Sequence, residues 1–177
     1  MNMNLSQIIQ ALNGAYPNVQ NYLKQSSQSE RIIDTDKGCS EFTTDFTLSG
    51  FDVKNKSRIP FCLLQIDNKL IVAHKGGQCD CAFFYDDNFN LLEFKTNAFS
   101  QKNVSQNYKK AINQLHNTIK ILLNKKIDIL KMASNVEAHI CFNNSYPRKK
   151  ASEMSRSISF ANKTGVKLSF ENQKIIP

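Results

Sequence analysis

The chain lacks any apolar run near the ~18 residues that a membrane-crossing helix needs, so no span is expected. Its start, Met1-Asn2-Met3-Asn4-Leu5, has neither the charged end nor the apolar run of a signal peptide. A cytoplasmic protein is the expectation. No internal repeat and no Pro- or Gly-rich linker divides the sequence, and residues 1–177 read as one domain. Acidic residues are few, 15 against 23 Lys and Arg, which leaves a net charge of +8. That imbalance favours a polyanionic partner, a nucleic acid or an anionic surface. No nucleophilic-triad signature is present, and Gly76-Gly77 is too short for a phosphate-binding loop. The cysteine count is five; an odd number does not suit a fully paired secreted framework, so reduced thiols are expected.

What is present is a globular composition, 41% hydrophobic with 12 Phe. Leu5, Ile8, Ile9 and Leu12 follow helical spacing, and Asn13-Gly14 and Pro17 break that helix. Residues 40–46 suit a helix or a strand equally. Residues 61–65 and 69–73 are short apolar runs about Asp67-Asn68, a turn pair, and predict a hairpin. Residues 79–85 and 89–95 predict a second hairpin closed at Asp86-Asp87-Asn88. From Val104 to Leu123 apolar residues recur at three and four over more than five turns, with Ser100 as the expected N-cap. Residues 136–142 predict a strand, and 157–160 and 166–170 short terminal strands. The expected architecture is α/β, a mixed sheet flanked by helices.

The second hairpin carries the chemistry. Side chains alternate along a strand, so Glu93 and Lys95 share a face. Closing the turn brings them towards Asp80, at the start of the partner strand. Two neighbouring carboxylates repel and are best satisfied around a hard divalent cation. Mg2+ keeps several waters, so two carboxylates suffice. A lysine beside them can orient or deprotonate a water and balance charge at a reacting phosphate.

Asp80, the turn and Glu93-Phe94-Lys95, followed by a long helix and a strand, resemble the PD-(D/E)XK nuclease superfamily in layout over roughly residues 69–142. Cys79 stands where that motif has Pro. The resemblance implies a restriction-endonuclease-like domain that hydrolyses phosphodiester bonds with Mg2+, or Mn2+ in its place. It implies Asp80 and Glu93 as metal ligands, the Phe94 carbonyl as a third, and Lys95 assisting the attacking water. Glu41 is the expected acidic residue from the family's first helix, with Glu30 second. By association with restriction enzymes, the substrate is expected to be DNA more than RNA, in defence against foreign DNA. Specificity is expected from a homodimer or a partner subunit, because no separate recognition domain is visible. The rival reading is a non-catalytic binding or assembly subunit.

Two further patterns complete the sequence. Residues 145–167 hold six basic residues against one acidic. Arg148, Lys149 and Lys150 in that segment, with Lys109 and Lys110 on the long helix, are the expected nucleic-acid contacts. Cys79-Asp80-Cys81 and His139-Ile140-Cys141 are too closely spaced for an ordinary structural zinc site. Cys79 and Cys81 are expected to face the core together, opposite Asp80.

Overall fold

The structure, a computed structural model, describes residues 4–35, 38–72, 75–96, 101–142 and 150–177; the side chains of 101–103 and 150 fall outside that description. Among the described residues ten strands form two mixed sheets. The larger has six strands in the order β1 (Leu23–Ser26), β5 (Phe61–Gln65), β6 (Cys81–Tyr85), β7 (Asn88–Lys95), β8 (Asn135–Phe142) and β9 (Lys167–Ser169). The smaller has four, β10 (Gln173–Ile176), β4 (Phe51–Asn55), β2 (Glu30–Asp34) and β3 (Ser40–Thr43). The helices are α1 (Leu5–Ala15), α2 (Gln101–Asn124), the single turn α3 (Ile129–Met132) and α4 (Lys150–Thr164).

Both faces of the six-stranded sheet are buried, and alternation sorts its side chains between two cores. Cys62, Leu64, Ala82, Phe84, Phe89, Leu91, Ala138 and Ile140 meet α1, α2, α3 and α4. Phe61, Leu63, Phe83, Tyr85, Leu92 and Phe94 meet Ile32, Phe51, Val53 and Ile176 of the four-stranded sheet. The order of layers is therefore helices, sheet, sheet. The expected α/β class holds, but the flanking differs from expectation. All four helices lie on one face, and the second face is covered by a sheet, because β2 and β4 each offer an apolar side.

β6 and β7 form the expected antiparallel hairpin, running from Tyr85 opposite Asn88 to Cys81 opposite Leu92. Asp86 takes a positive φ of 44° in the turn. β8 runs parallel to β7, a pairing that needs a crossover connection, which α2 supplies. The hairpin expected at 61–73 does not form. β5 is already paired with β1 on one edge and β6 on the other, so no ladder remains for 69–72. Ile71 forms an isolated bridge with Asp67 and donates its N–H to the Ile66 carbonyl at 3.0 Å. Within the ambiguous segment at 40–46, residues 40–43 form β3 and residues 44–46 lie outside any strand or helix. The strand expected at 157–160 is instead helix, within α4. Its inward residues Glu153 and Phe160 lie seven apart, a helical repeat. The helix ends at Gly165, which has φ +74° and donates its N–H to the Ala161 carbonyl at 2.8 Å. The N-cap expected at Ser100 lies outside the described residues. Among the described residues no helix is long and apolar enough to cross a membrane.

Candidate active site

Asp80 sits on a short strap, residues 75–80, that leads into β6, and α2 holds this strap by its backbone. Asn117 Nδ2 donates to the Gly76 carbonyl at 2.9 Å. Gln114 Nε2 donates to the Gln78 carbonyl at 3.0 Å. The Cys79 N–H donates to Thr118 Oγ1 at 2.8 Å. Gln114, Asn117 and Thr118 stand three and four apart, so they share one face of the helix. The strap can lie this close because Gly76 and Gly77 have positive φ, 103° and 76°, and carry no side chain. A Cβ on Gly76 would come within 2.5 Å of Asn117 Nδ2.

Across the sheet the strap is held by a bulge. The N–H groups of Ile66 and Asp67 both donate to the Asp80 carbonyl, each at 3.1 Å. Two residues thus oppose one, and such bulges re-aim side chains at the ends of sheets. Asp67 consequently lines the same cleft as Asp80. The Asp80 carboxylate accepts the Phe94 N–H at 2.6 Å, which ties it to the Glu-x-Lys strand.

Glu93 and Lys95 project from β7 on the helix side. Both are buried, Glu93 completely and Lys95 to 9% exposure. The Lys95 ammonium donates to Glu93 Oε1 and, at 3.2 Å, to the Phe94 carbonyl. Glu93 Oε2 is buried and has no hydrogen-bond partner among the described residues. These groups open on a cleft of about 420 Å3, also lined by Asp34, Asp67, Asn107, Lys110 and Gln114. Burial pushes the Asp80 carboxyl up to about 7; Asp34 and Asp67 add to the rise, and the Phe94 N–H and Lys95 oppose it. Burial and the neighbouring Asp80 charge push Glu93 well above the ordinary carboxylate range, with Lys95 opposing. A buried group that must be neutral or paired at neutral pH, with one oxygen unpartnered beside a polar cleft, suits a bound cation. The donors are two carboxylates and a carbonyl, oxygen ligands of the kind Mg2+ and Mn2+ prefer.

The chain matches no family model, no curated protein and no solved structure.

Asp80, Glu93, Phe94 and Lys95 come together in the cleft, and Lys110 lies at its edge. Glu41 does not join them. It lies on β3 in the smaller sheet, where its carboxylate takes Lys24 at 3.2 Å. Glu30 pairs with the Ser26 hydroxyl at 2.8 Å instead. The acidic groups that do reach the cleft from outside the hairpin are Asp34, at the end of β2, and Asp67, on the bulge. Neither had a signal in the sequence, since one depends on sheet stacking and the other on a bulge. Gln114, Asn117 and Thr118 were not among the expected site residues; their signal in the sequence is polar spacing of three and four along the long helix. Lys109 is exposed on α2. Arg148 and Lys149 lie outside the described residues, as does the side chain of Lys150. Cys79 and Cys81 do not share a face. Cys79 packs in the helix-side core and Cys81 in the inter-sheet core, because the chain bends at Asp80 and breaks the alternation. His139 is buried between the sheets against Phe51, its ring centroid 4.9 Å away. Among the described residues no three His, Cys, Asp or Glu side chains form a metal-holding group.

Proposed function

We propose that the protein is a metal-dependent nuclease of restriction-endonuclease-like, PD-(D/E)XK type, which hydrolyses phosphodiester bonds in nucleic acid, DNA in preference to RNA. One observation carries this reading: a wholly buried glutamate, Glu93, with one carboxylate oxygen unpartnered among the described residues, lines a polar cleft together with Asp80 and Lys95. Asp80, Glu93 and the Phe94 carbonyl would hold Mg2+ or Mn2+. When bound, such an ion polarises a phosphate oxygen and lowers the pKa of a bound water. The remaining work falls to the chain. Lys95 orients the attacking water and offsets charge gathering on the phosphate oxygens. Lys110, at the edge of the cleft, attracts the phosphate and fixes its approach. The Phe94 N–H holds Asp80 in place, so the carboxylate needs no reorganisation as substrate binds.

A second reading is a non-catalytic nucleic-acid-binding or assembly subunit. The Lys95–Glu93 pair favours it, since it already neutralises one oxygen of Glu93. The two readings part in a cleavage assay on plasmid DNA and on RNA, with Mg2+ and with Mn2+. The nuclease reading expects cleavage that chelator abolishes and that Asp80→Asn, Glu93→Gln and Lys95→Ala each remove. Cleavage that survives all three substitutions sinks it. Binding without cleavage under every metal condition favours the second reading.

A further inference from the structure

A second groove lies on the other flank of α2, between it and α4, with a volume of about 470 Å3. His116 of α2 and Arg156 and Lys163 of α4 line it, with the hydroxyls of Ser152, Ser155 and Ser159. Among the described residues, none that lines it is acidic. Arg156 and Lys163 have no carboxylate partner among the described residues. The Arg156 guanidinium is fixed by packing over the Tyr108 ring, 5.0 Å from its centroid, and by the Ser152 hydroxyl at 3.3 Å. The one acidic residue of α4, Glu153, is buried, accepts from the Tyr108 hydroxyl and is not among the residues that line the groove. Burial first, and then the nearby Lys163 and Lys120, lower the pKa of His116. A pre-positioned guanidinium, an ammonium and three hydroxyls make a phosphate-binding set.

The crest between groove and cleft is also cationic. α2 contains no Asp or Glu, and Lys109, Lys110 and Lys120 are exposed along it. Asn107, Lys110 and Gln114 face the cleft, and Ile112, Asn113 and His116 face the groove. The two phosphate-attracting sites thus lie on opposite flanks of one helix. A helix with its side chains measures roughly 10–12 Å across. The major groove of B-form DNA is about 12 Å wide, whereas that of A-form RNA is deep and narrow.

We infer that the substrate is duplex DNA that straddles α2, with the scissile strand in the Asp80–Glu93 cleft and the backbone of the opposite strand in the α2–α4 groove. This rests on the nuclease reading of the cleft and adds the substrate class to it. The consequence is that affinity and chemistry are carried by different flanks of the same helix. A fragment too short to cross α2 engages the cleft alone.

The test is fluorescence anisotropy over a salt series, with a labelled DNA duplex of about three helical turns and a single strand of the same length. The Asp80→Asn protein is the parent, so that the probe survives. Two variants are compared with it, Arg156→Gln/Lys163→Gln and the single exposed change Lys163→Glu, which leaves the Arg156–Tyr108 packing intact. Melting curves confirm folding. The double variant is expected to lose about tenfold in duplex affinity and to flatten the log–log salt slope by roughly 1.8, two phosphate contacts on B-form DNA. Lys163→Glu is expected to weaken duplex binding by itself. In the Asp80-containing protein, cleavage of a short oligonucleotide is expected to be unchanged by either. Affinity and slope equal to the parent in both variants overturn the inference, whatever Asp80→Asn does to cleavage. Equal losses for single strand and duplex overturn the duplex assignment. The expected duplex loss in a protein that cleaves nothing supports the groove as a DNA-binding face and overturns the nuclease reading instead.

Discussion

The Asp80 carboxylate accepts the backbone N–H of Phe94 at 2.6 Å, and this single bond joins the strap from one strand to the Glu-x-Lys motif of the next. Asp80 therefore has a structural role as well as a charge. Asparagine keeps the acceptor oxygen and removes the charge, so the two roles separate in Asp80→Asn and Asp80→Ala. We expect Asp80→Asn to fold and to melt no lower than the parent at neutral pH. Asp80→Ala loses the bond to Phe94 and should be less stable than Asp80→Asn by about 1–3 kcal/mol. Thermal melts of the three proteins, side by side, measure this. Neither variant should cleave.

The pH dependence of that comparison has a defined sign. In the folded chain Asp80 titrates near 7 because it is buried beside Asp34 and Asp67. In the unfolded chain it titrates near 3.9. Between those values the folded state binds more protons, so raising the pH costs the parent stability that Asp80→Asn does not lose. The melting difference should be small near pH 4 and grow as pH rises through about 7. Each kcal/mol shifts Tm by roughly 2–4 °C in a chain of this size. A difference that shrinks with rising pH would show that Asp80 is not buried as a charge.

Divalent cation should reverse this cost. Mg2+ or Mn2+ that binds only the folded state raises Tm with concentration, by about 2.7 kcal/mol at a hundredfold excess over Kd. The gain is expected in the parent at pH 8 and expected to vanish in Asp80→Asn and Glu93→Gln. Equal Tm gains in all three proteins would place the ion elsewhere.

Lys95 and Glu93 should be strongly coupled. Their side chains are 11% and 0% exposed, so removing the lysine leaves a buried carboxylate without its partner. Lys95→Met is expected to cost roughly 3–5 kcal/mol at high pH. The cost should fall at lower pH, where Glu93 takes up a proton. The double variant Lys95→Met/Glu93→Gln should recover most of the loss. Urea denaturation of the four proteins closes the cycle, and additive losses would mean that the two groups do not share their charge.

A separate cluster at the far end of the sheet predicts acid sensitivity. Glu137 accepts from Lys174 at 2.7 Å and Lys167 at 3.0 Å, and lies 3.4 Å from His139 Nε2. The hydrogen bond from His139, then those from the two lysines, hold its carboxyl well below the usual range. Burial lowers the pKa of His139 and so favours its neutral form. A carboxyl with a lowered folded pKa stabilises above its unfolded value and loses that contribution as pH falls. Glu137→Gln should therefore cost about 1–3 kcal/mol at neutral pH. The difference should shrink progressively below about pH 4.3. Urea midpoints across that range measure it.

The hairpin that carries Asp80, Glu93 and Lys95, the long helix after it and the parallel strand beyond were legible in the residues themselves. Those features depend on local rules: alternation along a strand, turn residues between two apolar runs, and apolar spacing of three and four along a helix. The same rules failed at 69–72 and at 157–160. Strand pairing depends on which edges are free, and a short mixed segment can satisfy either period. Tertiary structure alone decided what surrounds the hairpin. A second sheet covers the face where helices were expected, and its β2 delivers Asp34 in place of the expected Glu41. The bulge opposite Asp80 delivers Asp67, and α2 clamps the strap through three side chains that meet it some forty residues away in sequence. Such contacts arise from packing distant elements, and no local period encodes them. The charges of Asp80, Glu93 and Lys95 belong to the sequence. Their burial, and hence their energy, belongs to the fold, because the cost of a charge depends on how far water is excluded around it.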